Sequence, residues 1–202
     1  MMSPLRPFGH DANSSVEGPK YYIGIDFGQT EDATIILVLE KMDDNVLKCR
    51  AALRRVGVKY TEIVKEIKYI QNKLRPKQIC IDATGLGKVI LDMLTDEGVY
   101  TNPIVFTLKI KQELFQLTKT MFERNKIFLP ASNYQMKREL LDWRCSKNTK
   151  GQNLLSHPSG GHDDYCIALI LAVHAAVGEG THVDPDAMYT AVGVNSKNWL
   201  NL

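Results

Sequence analysis

Apolar and polar residues alternate along the chain from residue 21 onwards. In this first run Ile23 and Ile25 share one face and Asp26 lies on the other, a period of two that is typical of a β-strand. Apolar runs at 33–40 and 46–56 predict a second strand and a third, more polar strand nearer the sheet edge. Because the links between the runs are short and polar, the pattern predicts an antiparallel meander of three strands.

The hydrophobic period then changes to that of a helix. Apolar residues recur at helical spacing over 60–74, and Pro76 marks the end of this helix. Short apolar runs and helical periods alternate in the rest of the chain. They predict strands at 78–81 and 103–108, and helices at 86–96, 110–126, 133–141 and 162–177.

Two of the predicted helices differ in their expected surroundings. The 110–126 helix is amphipathic, with Leu114 and Leu117 facing inward and Lys111 facing solvent. The 162–177 helix is apolar on nearly every side, which predicts that it is buried.

Together these elements predict an α/β fold with a mixed sheet, in which three antiparallel strands are followed by parallel strands and helices cover both faces. At 202 residues the chain has the length for one domain with a full core. We expect this domain to span residues 20–177, with a linker or tail at 1–19 and a C-terminal tail at 178–202. Within it, residues 142–160 are expected to form a polar loop or a hairpin with its tip at 148–151.

The net charge of +2 is small, but charge is distributed unevenly along the chain. Residues 41–77 hold eleven Lys or Arg and four Asp or Glu, and residues 109–150 hold ten and four. The remaining stretches, which include three acidic motifs, are net negative. Acidic motifs between basic flanks suit a polyanion whose phosphate must reach a bound cation. Solvated helix faces and strand edges are the alternative explanation of the basic stretches.

The cysteines are scattered and form no CxxC pair. We therefore expect reduced thiols in a cytosolic setting rather than disulfides or a zinc site. No N-terminal signal pattern is present, and the longest apolar stretch, 165–177, is too short to span a bilayer. These observations predict a soluble, intracellular protein without a membrane partner.

The three acidic motifs hold the candidate chemistry. Asp26 and Asp82 each end a short apolar run near a glycine, and the pair Asp163 and Asp164 begins the apolar C-terminal helix. Sites in sheets of this kind lie beyond the carboxyl ends of the strands, where Asp26 and Asp82 are expected. Several converging carboxylates are usually compensated by a divalent cation. Three carboxylate positions on separate elements are what a magnesium-dependent phosphodiesterase site needs.

Each motif also has a purely structural explanation. Asp26 could be a turn residue bonded to its own backbone, and Asp82 could cap the helix that follows. Asp163 and Asp164 could stabilise the first turn of their helix through its dipole. Because adjacent helix residues point about 100° apart, the two cannot be equivalent, and we favour Asp164 for direct metal ligation. His162 is expected to flank the site rather than to ligate, since magnesium prefers oxygen.

The order of these motifs resembles a known family. An Asp at the end of the first strand, an Asp at the end of the fourth and an Asp at the start of the last helix form the RNase H-like pattern. Within it, four segments look like the nuclease domain of the large terminase subunit of tailed bacteriophages: IGIDFGQTEDATIILVL, ICIDATGLGKVILDML, ELFQLTKTMFERNKIFLP and GGHDDYCIALILA. The resemblance covers roughly residues 20–177, and the second and fourth segments are its most specific parts.

The resemblance implies a metal-dependent endonuclease that cuts concatemeric viral DNA when packaging starts and ends. It assigns the catalytic, metal-binding carboxylates to Asp26, Asp82, Asp163 and Asp164, and it implies two Mg²⁺ or Mn²⁺ ions. Many relatives hold a further Asp one turn into the last helix, where this chain has Ile167. The family's full-length protein also has an N-terminal packaging ATPase with a Walker motif. This chain has no such motif, so we expect an isolated nuclease domain.

Partners and location follow from the same resemblance. The partners would be double-stranded DNA, the packaging ATPase domain, the portal and the small terminase subunit. Lys147 and Lys150 are candidate contacts to the DNA backbone. The expected location is the cytoplasm of the infected bacterial host, without secretion.

The mechanistic hypothesis is in-line hydrolysis of a phosphodiester by two divalent ions roughly 3.5–4 Å apart. Asp26 would bridge both ions, with Asp82 on one and Asp164, helped by Asp163, on the other. Because phosphate contacts carry no sequence information, cutting should be largely non-specific and sensitive to salt.

Three other functions fit part of the pattern. The 24–30 segment also resembles the phosphate loop of an actin-like or sugar-kinase ATPase, although such folds need two domains. A non-catalytic DNA-binding module would bind DNA without metal and without cleavage. A Holliday-junction resolvase-like nuclease would prefer four-way junctions to linear duplex.

Overall fold

The computed structural model of the protein describes residues 18–28, 32–84, 88–142, 144–147, 153–156 and 162–178. A 3₁₀ turn joins the second strand to the third within those residues. In chain order the strands and helices are β1 (Lys20–Asp26), β2 (Thr34–Lys41), β3 (Leu47–Arg55), α1 (Tyr60–Leu74), β4 (Gln78–Asp82), α2 (Lys88–Asp96), β5 (Asn102–Ile104), α3 (Leu108–Glu123), β6 (Ile127–Phe128), α4 (Tyr134–Asp142), β7 (Arg144–Lys147), β8 (Asn153–Ser156) and α5 (Asp164–Val177).

Six of the described strands form one mixed sheet in the order β5-β4-β1-β2-β3-β6. β1, β2 and β3 pair antiparallel, which confirms the predicted meander. β4 runs parallel to β1, β5 runs parallel to β4, and β6 runs parallel to β3. The predicted α/β fold with three antiparallel strands followed by parallel ones is confirmed. β7 and β8 form a separate antiparallel hairpin, one of the two forms expected for this part of the chain.

Helices cover both faces of the sheet because the strands are apolar on both sides. Tyr22 and Leu37 belong to a core that includes residues of α3, α4 and α5. Ile23, Ile25 and Ile36 lie on the opposite face, in a core with residues of α1 and α2. Successive strand residues thus enter different cores, as the period of two requires.

Helix α5 is the most deeply buried helix that the structure describes. It contacts β1, β2 and β4, and most of its 14 residues are buried, as its apolar sequence predicts. No helix within the described ranges is long and apolar enough to cross a membrane. The helix lies so close to β1 that a Cβ on Gly24 would overlap the Ala168 carbonyl oxygen and the Ala172 backbone nitrogen. Glycine at position 24 therefore permits α5 to pack directly on the strand.

The structure corrects the boundaries around α3. The predicted strand at 103–108 is wrong beyond Ile104, because the Thr107 hydroxyl accepts a hydrogen bond from the Ile110 N–H (3.2 Å) and caps a helix that starts at Leu108. The helix ends at Glu123 rather than at 126. Asn125 has a φ of 53°, which no helix residue adopts, and the chain turns there into β6, a strand that was not predicted.

The predicted division into tail, domain and tail stays a prediction. Most of 1–19 and of 178–202 lies outside the described residues, as does the predicted hairpin tip at 148–151. The described elements extend from Lys20 to Val177, the range that the apolar pattern predicts for the domain.

Replacement of Gly24 by alanine should destabilise the protein by about 1–3 kcal/mol or more, because the added methyl group would force α5 away from β1. Urea unfolding measures the change. Gly18→Ala is the matched control, since no described atom lies within 4 Å of its added Cβ. Equal stability of the two variants would show that α5 can shift without cost.

Candidate active site

Two parallel neighbouring strands bring the first two acidic motifs together. Ile25 of β1 pairs with Ile81 of β4, so the next residues, Asp26 and Asp82, end both strands at the same edge of the sheet. This is the position expected from the sequence. Neither strand continues beyond its aspartate, because the chain turns away at that edge.

The N-terminal turn of α5 brings the third motif to the same edge. Ala168, which lies over Gly24, is one turn beyond Asp164, so the start of the helix projects toward the ends of β1 and β4. The carboxylates of Asp82, Asp163 and Asp164 all raise the pKa of Asp26. The four predicted site residues are thus close enough to one another to interact electrostatically.

Burial is nonetheless the largest cause of the raised pKa values at this site. The pKa of Asp26 lies well above its ordinary value, first because the carboxyl is removed from water and then because of its acidic neighbours. The pKa values of Asp82 and Asp164 are also raised, again mainly by burial. A site of this kind favours protons or bound cations on its carboxylates.

Lys111 is the cation that the structure places beside the four carboxylates. Its ammonium lies 3.0 Å from Oδ2 of Asp163, and both side chains are about three-quarters buried. It also lowers the pKa values of Asp26 and Asp82, in opposition to burial. The expectation that Lys111 faces solvent is therefore wrong. The helical period places it outward on α3, but the start of α5 covers that side of the first turn.

The pair at the start of α5 is inequivalent, as expected from its spacing. Asp163 occupies the N-cap position, yet its side chain makes no capping hydrogen bond. Oδ2 of Asp164 is buried and has no hydrogen-bond partner among the described residues. His162 is exposed and lowers the pKa of Asp164, which suits a flanking residue.

Asp82 has a local structural contact as well. Its Oδ1 accepts a hydrogen bond from the Thr84 backbone N–H (2.7 Å), which is the turn geometry typical of aspartate. The Thr84 hydroxyl in turn accepts from the Phe106 N–H (2.7 Å). This chain of hydrogen bonds fixes the orientation of the Asp82 carboxylate, while the helix-capping explanation involves residues 85–87, which lie outside the described ranges.

Sequence reasoning missed a fifth carboxylate. Glu139 of α4 is only 6% exposed, and its Oε2 accepts a hydrogen bond from the Tyr165 N–H at 2.8 Å. A signal for it was present, because Glu139 follows the buried Met136 by three residues and therefore lies on the inner face of its helix. Asp32 and Arg54 also influence the pKa of Asp164, in opposite directions.

The donor chemistry of this site fits a hard divalent cation. All four aspartates offer oxygen, and the buried Oδ2 of Asp164 accepts no hydrogen bond from the described residues, which suits a metal ligand. As the side chains stand, no three His, Cys, Asp or Glu residues in the described part of the chain are arranged to hold one ion. Binding would therefore require the carboxylates to rotate toward a common centre.

Comparison with known proteins decides the family. A family model for the Terminase RNaseH-like domain matches residues 23–176, which include all four aspartates. The chain belongs to this family. The resemblance read from the acidic motifs is thereby confirmed, together with the RNase H-like fold.

The relatives of this terminase domain come from bacteriophages. The large terminase subunit of Thermus phage G20c is 24% identical over 153 residues, which are 75% of this chain but 31% of the relative. The chain thus spans less than a third of the length of the curated relatives that it matches.

Solved structures show the same fold. The large terminase nuclease of phage G20c with bound magnesium has a TM-score of 0.69 at 24% identity, covering 77% of this chain and 80% of that one. The nuclease domain of g2p, the large terminase of bacteriophage SPP1, was solved with bound manganese. It has a TM-score of 0.55 at 15% identity, covering 76% and 84%.

Asp26→Asn should stabilise the metal-free protein at pH 7–8 by about 1 kcal/mol or more. Because the pKa of Asp26 is raised in the folded state, folding is penalised while this carboxyl is charged in the unfolded chain. The penalty is complete above the raised pKa and disappears as the pH falls toward about 4, the ordinary pKa of an aspartate. The advantage of the variant should shrink over the same interval.

Urea unfolding in EDTA at a series of pH values measures this difference. Asp96→Asn is the control, since it removes an exposed carboxylate at the end of α2. A variant no more stable than the wild type at pH 7.5 would contradict the prediction.

Proposed function

We propose that this chain is a metal-dependent DNA endonuclease domain that cuts concatemeric viral DNA during genome packaging. The observation that carries the proposal is the group of four aspartates at one edge of the sheet, buried enough to raise the pKa values of three of them. A terminase RNaseH-like domain with this group has the oxygen ligands that such chemistry needs.

The proposed cofactors are two Mg²⁺ or Mn²⁺ ions held by Asp26, Asp82, Asp163 and Asp164. Support comes from the oxygen-only donor set and from the magnesium and manganese bound to the related nuclease structures. When bound, the ions would polarise the scissile phosphate and offset the negative charge that develops on it.

The side chains have separate proposed roles. Asp26, whose pKa is raised by each of the other three aspartates, would contact both ions. Asp82, oriented by the Thr84 N–H, would serve one ion, and Asp164, with its unpartnered buried oxygen, would serve the other. Asp163 would support Asp164 while it is paired with Lys111.

Hydrolysis would proceed by in-line attack of water on the phosphodiester. The water would give up one proton as its oxygen forms a bond to phosphorus, the bond from phosphorus to the 3′ oxygen would break, and that oxygen would take up a proton from solvent. Lys111, which pairs with Asp163, would contact a non-bridging phosphate oxygen and limit charge repulsion as the DNA approaches.

Lys147 and Lys150 are the proposed contacts to the DNA backbone. Lys147 is the last residue of β7, and its partner strand β8 packs against α3, the helix that holds Lys111. This contact with α3 supports the proposal that the hairpin approaches DNA bound at the site. Lys150 falls outside the described residues, so its role rests on its position in the sequence.

Other partners follow from the family. The 153 matched residues are only 31% of the relative's length, and we propose that a packaging ATPase domain, the portal and the small terminase subunit act with this chain on double-stranded DNA. The proposed location is the cytoplasm of the infected bacterial host.

The decisive experiment incubates the purified chain with supercoiled plasmid in Mn²⁺, Mg²⁺ or EDTA. Nicking and linearisation should require metal, and Asp82→Asn should reduce the rate at least about a hundredfold, because several kcal/mol of transition-state stabilisation would be lost. Asp96→Asn, an exposed carboxylate on α2, should cut like the wild type.

Other outcomes would favour one of the alternative functions. Binding of DNA without metal and without cleavage would favour a non-catalytic module. Faster cutting of four-way junctions than of linear duplex would favour a junction resolvase, and ATP binding would favour the actin-like alternative.

Replacement of both Lys147 and Lys150 by alanine should weaken duplex binding and lower the salt dependence of the affinity. The slope of log K against log salt should fall by about 2, since each phosphate contact contributes about 0.9. Fluorescence anisotropy in Ca²⁺ or EDTA measures this without cleavage. The matched control replaces both Lys73 and Lys77 by alanine. These exposed lysines lie just before β4, at the opposite end of that strand from Asp82. An unchanged slope in the first pair would rule out the proposed contacts.

A further inference from the structure

The first turn of α5 receives its cap from another helix. Asp163 at the N-cap makes no side-chain capping bond, and the first hydrogen bond of the helix runs from the Ile167 N–H to the Asp163 carbonyl (2.8 Å). The N–H groups before Ile167 thus have no partner within the helix itself. One of them, that of Tyr165, donates to Oε2 of Glu139 at 2.8 Å.

Glu139 is unusually placed for an acidic residue. It is 6% exposed, and acidic side chains are seldom buried so fully without a specific partner. Its second oxygen, Oε1, accepts a bond from the Gln135 amide one turn earlier in α4 (3.3 Å). Both oxygens therefore have a donor, and neither donor is a lysine or an arginine.

Helix α4 is itself held in place by core packing and by a helix cap. Met136 is 1% exposed and belongs to the same core as α5, and the Asn133 side chain caps α4 through the Met136 N–H (3.0 Å). Tyr165 is itself only 4% exposed. The bond between Glu139 and Tyr165 joins two anchored helices immediately beside Asp164.

We propose that Glu139 is a positioning residue, which holds the first turn of α5 through the Tyr165 amide and so sets the place of the Asp164 carboxylate. The inference rests on the proposed nuclease function and adds a residue that its acidic motifs do not include. In this role Glu139 acts through the Tyr165 N–H rather than on an ion directly.

Two substitutions separate the hydrogen bond from the charge. Glu139→Gln keeps an oxygen that can accept from the Tyr165 N–H but removes the negative charge. Glu139→Leu keeps a similar volume and removes the acceptor. Asp142→Asn is the control on the same helix, where an exposed carboxylate pairs with Arg138 one turn away.

The positioning role predicts a specific set of results. Glu139→Gln should cut plasmid within about threefold of the wild type, whereas Glu139→Leu should lose about 10–100-fold in kcat with little change in KM for DNA. Mn²⁺ affinity of the protein alone, measured by calorimetry, should fall in the same order. Exchange of the Tyr165 amide hydrogen should be slow in the wild type and in Glu139→Gln and fast in Glu139→Leu.

Each contrary result has a definite meaning. Equal loss in Glu139→Gln and Glu139→Leu would show that the charge matters and would overturn the positioning role. Full kcat in Glu139→Leu with fast exchange at Tyr165 would do the same. A wild type that binds Mn²⁺ but does not cut would count against the proposed function alone, and the Mn²⁺ titration and amide exchange would still decide the inference. A wild type that binds no Mn²⁺ would overturn both.

Discussion

The direct contact of α5 with β1 at Gly24 is the constraint on which the rest of the structure depends. Because position 24 has no side chain, the backbone of the helix lies against the backbone of the central strand. The helix is therefore held by close packing of its buried apolar residues. Its N-terminal turn then projects past the ends of β1 and β4, and this projection brings Asp163 and Asp164 to Asp26 and Asp82. Because Gly24 has no side chain, α5 can contact β1 directly, although the two elements are well over a hundred residues apart in the sequence.

The same packing forces an electrostatic conflict at the sheet edge. Four aspartates lie near one another with one close lysine, and burial raises the pKa values of three of them. A protein selected for stability alone would replace such a group with apolar residues. Its retention in a terminase RNaseH-like domain is explained if a divalent cation completes it, because the repulsion that weakens the free protein becomes attraction toward the metal. If these four aspartates bind metal as proposed, stability without metal and affinity for metal would be opposed at the same residues.

Much of the fold follows from the hydrophobic pattern, and the exceptions have physical reasons. The bounds of α1 and of the meander strands agree with their periods to within a residue or two, since each strand alternates between two cores and each helix has one apolar face. β6 was not predicted, because a strand of two residues is too short to show an alternation of apolar and polar side chains. Lys111 was misplaced for another reason: the start of α5, which is distant in sequence, covers it, and a local pattern cannot show that a charged residue on a helix surface is covered. Helical spacing from Met136 could place Glu139 on the inner face of α4, but no local pattern could show its hydrogen bond with the Tyr165 N–H. The acidic motifs were readable because strand ends and helix starts have local signals of their own.

Helix α5 is the last described element in the chain, yet it lies across the centre of the sheet. During synthesis, β1 leaves the ribosome roughly ten seconds before α5 at ordinary elongation rates, so one face of the nascent sheet is for that time not yet covered by α5. That face includes Tyr22, Leu37 and Leu39, all fully buried in the finished protein. No nascent chain that lacks this helix can assemble the acidic group, because half of its aspartates have not yet been made. The acidic group, and any chemistry that depends on it, is therefore absent from the nascent chain until α5 has been made.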